Sequence, residues 1–349
     1  MDNRQIDSVG GGYKLVGHSD FENIISLDNL LSAWLEFQRG KRAKRETQKF
    51  EFNLEENLFR LHEDLVRKKF KLASYEPFSI SDPKPRRIHK ACVRDRVFHQ
   101  AAFRKLSEFW NKRFLINSYS CQPKKGAHKA IEKLDSYLKK ESSNNWKTVW
   151  VLKCDIRRFF DSVDHKILLE LAKRGIEDVR TIDLINRIIE SFQVVTGKGI
   201  PLGNVTSQLF ANIYLHELDR FVKHKMKVRF YVRYCDDFVI ADKNREQLQT
   251  YVPILKEFLS KKLLLTLHPD KITFRKYRQG VDFLGYVLFP HHRVLRPRTA
   301  KRILKKLQHP NQGGLPSYLG ILKHCNGHKL EKKILELSKS WKQDSFELD

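Results

Sequence analysis

The sequence is short of acidic residues, of cysteine and of long apolar runs. The five cysteines (Cys92, Cys121, Cys154, Cys235 and Cys325) are odd in number and contain no C-x-x-C. That argues against a disulfide framework or a zinc site and points to a reducing compartment. No stretch reaches the roughly 18–20 apolar residues of a membrane span. The opening residues MDNRQIDSVGGGYK lack the apolar core of a secretory signal, so the expected location is cytoplasmic. The deficit of acids is large: 41 Asp and Glu stand against 67 Lys and Arg, a net charge of +26. Such an excess points to a polyanionic partner, nucleic acid or an anionic membrane surface. With 41% hydrophobic and 11% aromatic residues the chain is not a disordered basic tail. Aromatic rings stack on bases while Lys and Arg track phosphates, which favours nucleic acid.

At roughly 150 residues per domain, 349 residues suggest about two domains. Residues 1–20 read as a loose lead-in, and a helical pattern runs from about Ser26 to Phe70. Leu54, Leu58, Leu61 and Leu65 repeat at steps of three or four and give one apolar face. RGKRAKR reads as a basic helix face, for solvent or for phosphate. Residues 75–100, rich in Pro and Arg, open extended and turn helical near Asp95. The run TVWVLKCD (148–155) predicts a buried strand ending at an acid, and RFYVRYCDDFVIAD (229–242) predicts a hairpin with Asp236 and Asp237 at its turn. Between them SVDHKILLELAKRG is an amphipathic helix ended by Gly175, and a long helix follows Gly203. Strand, helices, hairpin, helix and strand in this order form an α+β pattern of the split βαβ kind.

The acids carry the chemistry. Two adjacent like charges gain nothing in an exposed turn, yet Asp236 and Asp237 are flanked by strongly apolar strands, and Asp155 ends a third. Carboxylates at the ends of adjacent strands suit a hard cation such as Mg²⁺, which takes a few carboxylate oxygens and substrate phosphates. Two such ions about 3.5–4 Å apart stabilise both the attacking and the leaving oxygen of phosphoryl transfer. Asp161 and Asp164 read instead as helix caps or first-turn charges. The run Gly197-Lys198-Gly199 lacks the spacing of a dinucleotide loop and a Walker lysine. His324 and His328 lack the glutamate of a zinc helix.

These residues carry a resemblance. VLKCDIRRFFDSVDH resembles the first palm motif of reverse transcriptases, and YVRYCDDFVI resembles their Y-x-D-D motif. LHPDKITF, VDFLGYVLF and PKPRRIHKACVRDRVFHQ are similar to the lysine, primer-grip and fingers motifs, and all five occur in the family's order across roughly 80–290. In PLGNVTSQLFANIY the form L-G-x-x-x-S-Q replaces the Q-G-x-x-x-S-P of group II intron and retron enzymes. It is similar to the enzymes of diversity-generating retroelements and to related defence-associated groups. One departure is His89-Lys90, where the retroelement motif usually has small apolar residues.

The resemblance implies a right-hand polymerase: an N-terminal helical lead-in at 1–50, fingers at 51–145, a ferredoxin-like palm at 146–292 with a fingers insertion near 170–200, and a helical thumb at 293–349. It implies catalytic Asp155, Asp236 and Asp237, with Asp155, Ile156 and Asp236 holding two Mg²⁺ ions that Mn²⁺ can replace. For the incoming dNTP it implies Lys84 and Arg87 as phosphate clamps, Phe160 as a gate against a 2′-hydroxyl, Gln208 near the nascent base pair and Lys271 near the leaving pyrophosphate. Of Phe159 and Phe160, one ring is expected to be core. Phe283, Leu284, Gly285 and Tyr286 are the expected primer grip. The implied activity is RNA-directed DNA synthesis on a structured RNA, error-prone in a diversity-generating retroelement, with a small basic accessory protein. The rival readings are an antiphage enzyme using a non-coding RNA, a catalytically idle maturase-like RNA-binding scaffold, and an RNA-templated RNA polymerase. No endonuclease or RNase H domain is expected.

Overall fold

The computed structural model describes residues 20–81, 85–307 and 314–344. The chain divides into two compact units. The first takes residues up to Phe114 and Arg158–His216, and the second takes Leu115–Arg157 and everything from Glu217. These units cut across the expected spans of 51–145 and 146–292. Residues 115–145 belong with the second unit, residues 158–216 with the first, and residues from 293 onward with the second.

The described residues begin with four helices: α1 (Asp20–Ile25), α2 (Leu27–Phe37), α3 (Arg45–Phe52) and α4 (Leu54–Val66). Ser26 caps α2 by accepting from the Asn29 N–H. In α4 Leu58, Leu61 and Leu65 are buried, as the spacing requires, while Leu54, the first residue of the helix, is only half-buried. RGKRAKR is not a helix face. It spans the break between α2 and α3, where Gly40 has φ +67. Cations three and four apart repel along a helix, and glycine costs it about 1 kcal/mol more, so the helix stops.

A hairpin follows, β1 (Glu76–Ile80) and β2 (Arg86–Lys90), antiparallel with Ser79 opposite Arg87. Then comes α5 (Val93–Asn111). Asp95 in its first turn is fully buried and accepts from the Ala73 N–H at 2.6 Å, tying the incoming chain to the helix.

In the second unit α6 (Ala127–Glu141) leads to β3 (Trp150–Cys154). The chain then builds the rest of the first unit with α7 (Phe159–Ser162), α8 (His165–Ala172), α9 (Val179–Glu190) and α10 (Val205–Arg220), the last four residues of α10 belonging to the second unit. Asp164 caps α8, as its position implied. The Gly197–Gly199 turn folds back on that helix, with the His165 N–H donating to the Gly197 carbonyl.

The remaining elements are β4 (Phe230–Tyr234), β5 (Asp237–Asp242), α11 (Arg245–Leu263), β6 (Thr273–Lys276), β7 (Val281–Phe283), β8 (Tyr286–Leu288), β9 (Arg293–Leu295), α12 (Pro297–Leu307), α13 (Leu315–Leu322) and α14 (His328–Asp344). Strands β4-β5-β3-β6 form one antiparallel sheet in that order. With helices after the first and third strands this is the ferredoxin-like βαββαβ arrangement, in an α+β fold. Val149, Val151, Val232 and Val239 line a core shared with α6, with the β7-β8-β9 sheet and with Ile303, Leu307 and Ile334 of the C-terminal helices.

Candidate active site

The register brings the acids together. Cys154 pairs with Phe238 on adjacent antiparallel strands, so Asp155, one residue beyond, reaches the level of Asp237. Tyr234 and Asp237 close the β4–β5 hairpin, leaving Cys235 and Asp236 as its two-residue turn, with Cys235 at φ +52. Asp155 is 9% exposed, and its Oδ1 accepts from Lys271 Nζ at 2.7 Å. Lys153 Nζ stands 3.9 Å from Asp237. Burial, together with the Asp155 and Asp237 charges, pushes the Asp236 carboxyl up to about 6. Burial also raises Asp237, with Asp155 adding to the shift and Lys153 opposing it. Two lysines thus partly offset three converging carboxylates.

Sequence reasoning missed what holds the turn. Arg233, one residue before Tyr234, is fully buried and ion-paired to the fully buried Asp219 of α10. Its Nε and Nη2 donate to Asp219 at 2.7 and 2.6 Å. Nη1 reaches the Cys235 carbonyl at 3.0 Å, and Nη2 also donates to Ser118 Oγ at 2.9 Å. The Tyr231 hydroxyl donates to the same carboxylate at 2.7 Å. The signal was available: an Arg in mid-strand between apolar residues needs a buried partner, because an unpaired charge there is prohibitively costly.

The donor set fits divalent cations. It offers hard carboxylate oxygens, and Asp236 and Asp237 are raised first by burial and then by their charged neighbours, both of which a bound cation would offset. Among the described residues no three His, Cys, Asp or Glu side chains form a ready-made cage. Mg²⁺ normally takes only one or two carboxylates and completes its shell with water and substrate phosphate. Ile156 is buried beside Asp155 and bridges to Leu267. The flanking bonds run from the His268 N–H to Asp155 O (2.8 Å) and from the Arg157 N–H to Thr266 O (2.9 Å), so the bridge leaves the Ile156 carbonyl free of the pairing.

The expected primer-grip residues form the β7–β8 hairpin, with Phe283 and Tyr286 paired and buried. Leu284 and Gly285 have φ +48 and +90, the signs a type I′ turn requires. The Arg296 N–H closes on the Gly285 carbonyl at 2.9 Å, and the Arg296 side chain pairs with Asp282. The Tyr286 hydroxyl donates to the Ile321 carbonyl and meets His128 Nε2 at 3.2 Å. His324 stacks on His128 with ring centroids 3.6 Å apart, so its partner is an imidazole of α6 and not His328.

The other expected dNTP residues lie in the first unit. Phe159 is the core ring, 2% exposed, and Phe160 is only half-buried. Arg87 is exposed on β2, and Gln208 is exposed on α10. Lys84 lies outside the described residues. The Leu202-Gly203 pair holds the chain against β2, because the Leu202 carbonyl accepts the His89 N–H at 2.9 Å. A Cβ on Gly203, whose φ is +122, would meet Ile88 Cγ2 at 2.9 Å. The His89-Lys90 departure is also accommodated, since His89 packs on Phe192 at 4.5 Å and Lys90 pairs with Glu46 at 2.5 Å.

A ferredoxin-like sheet presenting acids from two adjacent strand ends is the arrangement expected of a polymerase palm. The chain belongs to the reverse transcriptase (RNA-dependent DNA polymerase) family, whose model matches residues 68–288. It is 26% identical over 257 residues to Protein YkfC of Escherichia coli (strain K12), covering 63% of this chain and 65% of that protein. It is 26% identical over 308 residues to the Group II intron-encoded protein LtrA of Lactococcus lactis subsp. cremoris, covering 69% and 50%. To the Retron Ec73 reverse transcriptase of Escherichia coli it is 23% identical over 197 residues, covering 52% and 58%. The chain thus spans between half and two-thirds of these relatives' own length. Among solved structures, telomerase from Candida albicans in complex with a TWJ fragment of telomeric RNA aligns over 82% of this chain and 60% of that one, at 13% identity and a TM-score of 0.48.

Proposed function

We propose that this chain copies RNA into DNA in the cytoplasm, adding dNMP to a 3′-hydroxyl and releasing pyrophosphate. The observation that carries the reading is the convergence of Asp155, Asp236 and Asp237 at adjacent strand ends, with Lys271 on Asp155. Asp155 and Asp236, with Ile156 beside them, would hold two Mg²⁺ ions (or Mn²⁺ in their place), supported by Asp237. Bound there, such ions neutralise charge on the attacking and leaving oxygens of an in-line displacement. The protein's own part is positioning. Arg233 fixes the turn that carries Asp236. Lys271 offers a charge, or a proton, to the leaving pyrophosphate. Lys84 and Arg87 clamp the triphosphate, Phe160 excludes a ribose 2′-hydroxyl, and Gln208 sits near the nascent base pair. The hairpin at Phe283, Leu284, Gly285 and Tyr286 steadies the primer end. The positive surface grips the duplex through phosphates, so affinity falls steeply with salt.

Within that activity we assign the chain to mutagenic cDNA synthesis in a diversity-generating retroelement, working with a structured RNA template and a small basic accessory protein. The L-G-x-x-x-S-Q run ending at Gln208 supports this reading. A second reading is DNA made from the chain's own non-coding RNA in antiphage defence, with which the likeness to a retron reverse transcriptase is compatible. An idle RNA-binding scaffold is disfavoured by the intact acids.

The test is to sequence the nucleic acid that co-purifies with the chain after addition of Mg²⁺ and dNTPs, for wild type beside Asp236→Ala. A specific RNA with cDNA only in the wild type is the expected result. Substitutions concentrated at template adenines select the retroelement, and faithful or repetitive cDNA selects defence. RNA bound by both proteins with cDNA from neither, even after a genomic-neighbour protein is added, would overturn the polymerase reading in favour of the scaffold.

A further inference from the structure

The turn that carries Asp236 also carries a thiol, and a second thiol faces it. The segment from Asn117 runs beside β4 and is laced to it. The Arg233 N–H donates to the Asn117 carbonyl at 2.9 Å, the Tyr119 N–H donates to the Arg233 carbonyl at 3.0 Å, and Ser118 and Arg233 form a parallel bridge. Two residues further along both segments, Cys235 reaches Ser120 and Cys121, and the Cys121 and Cys235 thiols hydrogen-bond to each other. Cys121 and Cys235 both have φ +52, and both are free thiols, Cys121 exposed and Cys235 half-buried. An exposed thiol hydrogen-bonded to a second, less exposed one is the arrangement in which peroxide reacts first at the accessible cysteine and the other resolves the product.

We infer that Cys121 and Cys235 form a peroxide-reactive dithiol site whose oxidation to a disulfide halts synthesis reversibly. The Cys121 thiolate attacks peroxide; the O–O bond breaks, a sulfenic acid forms and hydroxide leaves. The Cys235 sulfur then displaces the sulfenic oxygen as water and the S–S bond forms. Two thiols and one hydrogen peroxide give one disulfide and two waters, the two electrons passing from sulfur to the peroxide. The bond draws two sulfurs from hydrogen-bonded separation to about 2.05 Å. Asp236 is the next residue, so the strain falls on the carboxylate that the reaction needs. The inhibitory half of this inference rests on the proposed polymerase reading; the cross-link itself does not.

The experiment treats the full chain with hydrogen peroxide, blocks remaining thiols with N-ethylmaleimide, and looks for the Cys121–Cys235 linked peptide by mass spectrometry. DNA synthesis is measured before treatment, after it, and after dithiothreitol, for wild type beside Cys121→Ser. The expected result is a linked peptide in the wild type, a loss of roughly a hundredfold in synthesis, as expected for a displacement of about 1 Å at a reacting centre, and recovery with the reductant. Cys121→Ser keeps its basal synthesis and resists peroxide. Absence of the linked peptide overturns the site. A linked peptide without loss of synthesis, or equal inactivation of Cys121→Ser, overturns the switch. If the untreated chain makes no DNA, the polymerase reading fails while the peptide still decides the site.

Discussion

Arg233 and Asp219 are joined through two nitrogens and two oxygens at 2.6–2.7 Å with neither side chain exposed, and the third guanidinium nitrogen holds the Cys235 carbonyl. One ion pair therefore couples the end of α10 to the turn that bears Asp236. Removing one partner leaves an unpaired buried charge, which costs about 3–5 kcal/mol. Asp219→Asn or Arg233→Met is thus expected to lower stability in urea denaturation by that amount. Replacing both partners with apolar residues of similar volume recovers most of the stability, because no buried charge is left. Primer extension does not recover, since the Cys235 carbonyl has still lost its donor. A double variant that regains full activity would refute the coupling.

Asp236 sets a pH dependence that can be signed. Its folded-state pKa, about 6, lies above the ordinary value of 3.8. The folded protein therefore binds the proton more tightly, and the metal-free fold loses stability as pH rises from about 4 through 6. Asp236→Asn should raise the melting temperature in chelator at pH 7.5, with the gain fading below pH 4, while DNA synthesis is lost. Buried His99, lowered to about 4 by burial and hydrogen-bonded to Thr206, acts in the opposite sense. Its contribution is lost as pH falls from 6.5 through 4, so the difference between variant and wild type, rather than the wild-type curve alone, isolates Asp236.

Lys271 separates two roles by substitution. If it acts as a charge beside Asp155, Lys271→Arg keeps most of the synthesis rate and Lys271→Met does not. If it gives up a proton, both fail, because a guanidinium is not deprotonated in proteins, and the loss reaches roughly 10²–10⁴-fold. Single-turnover incorporation across a pH series distinguishes the cases, a proton donor adding a basic limb that Lys271→Arg removes.

Phe160→Ala is expected to admit ribonucleotides while leaving dNTP incorporation largely intact. Phe159→Ala instead empties a core position and should cost about 3–5 kcal/mol in stability. Competition between dNTP and NTP, with a melting curve for each variant, checks both; unchanged selectivity in Phe160→Ala would remove the gate assignment.

The acids were legible because their signal is local: an apolar strand ending in a carboxylate, twice, is visible in a few residues. The strand character of 281–288 was legible for the same reason, whereas its reversal at Leu284-Gly285 was not, because a non-glycine residue at positive φ leaves no mark in an apolar run. The helix break at RGKRAKR was missed because its basic residues also fit a solvated helix face, and only like-charge repulsion with Gly40 tips the balance. Asp219 was unreadable: it sits 14 residues from Arg233 on a different element, and a long-range buried pair leaves one half of its pattern in each place. The same holds for Cys121 and Cys235, whose approach depends on a segment lying along β4.

The central position of β3, between β5 and β6, bears on how the molecule comes into being. Asp155 and Asp236 are neighbours in space but 236 − 155 = 81 residues apart in sequence. Non-local strand pairing must meet its loop-closure entropy before any contact rewards it, which slows folding. During synthesis Asp155 leaves the ribosome long before its partner strand exists. A nascent chain stopped before residue 230 thus carries helices of its first unit but no partner strand for Asp155, and the three acids come together only late in synthesis.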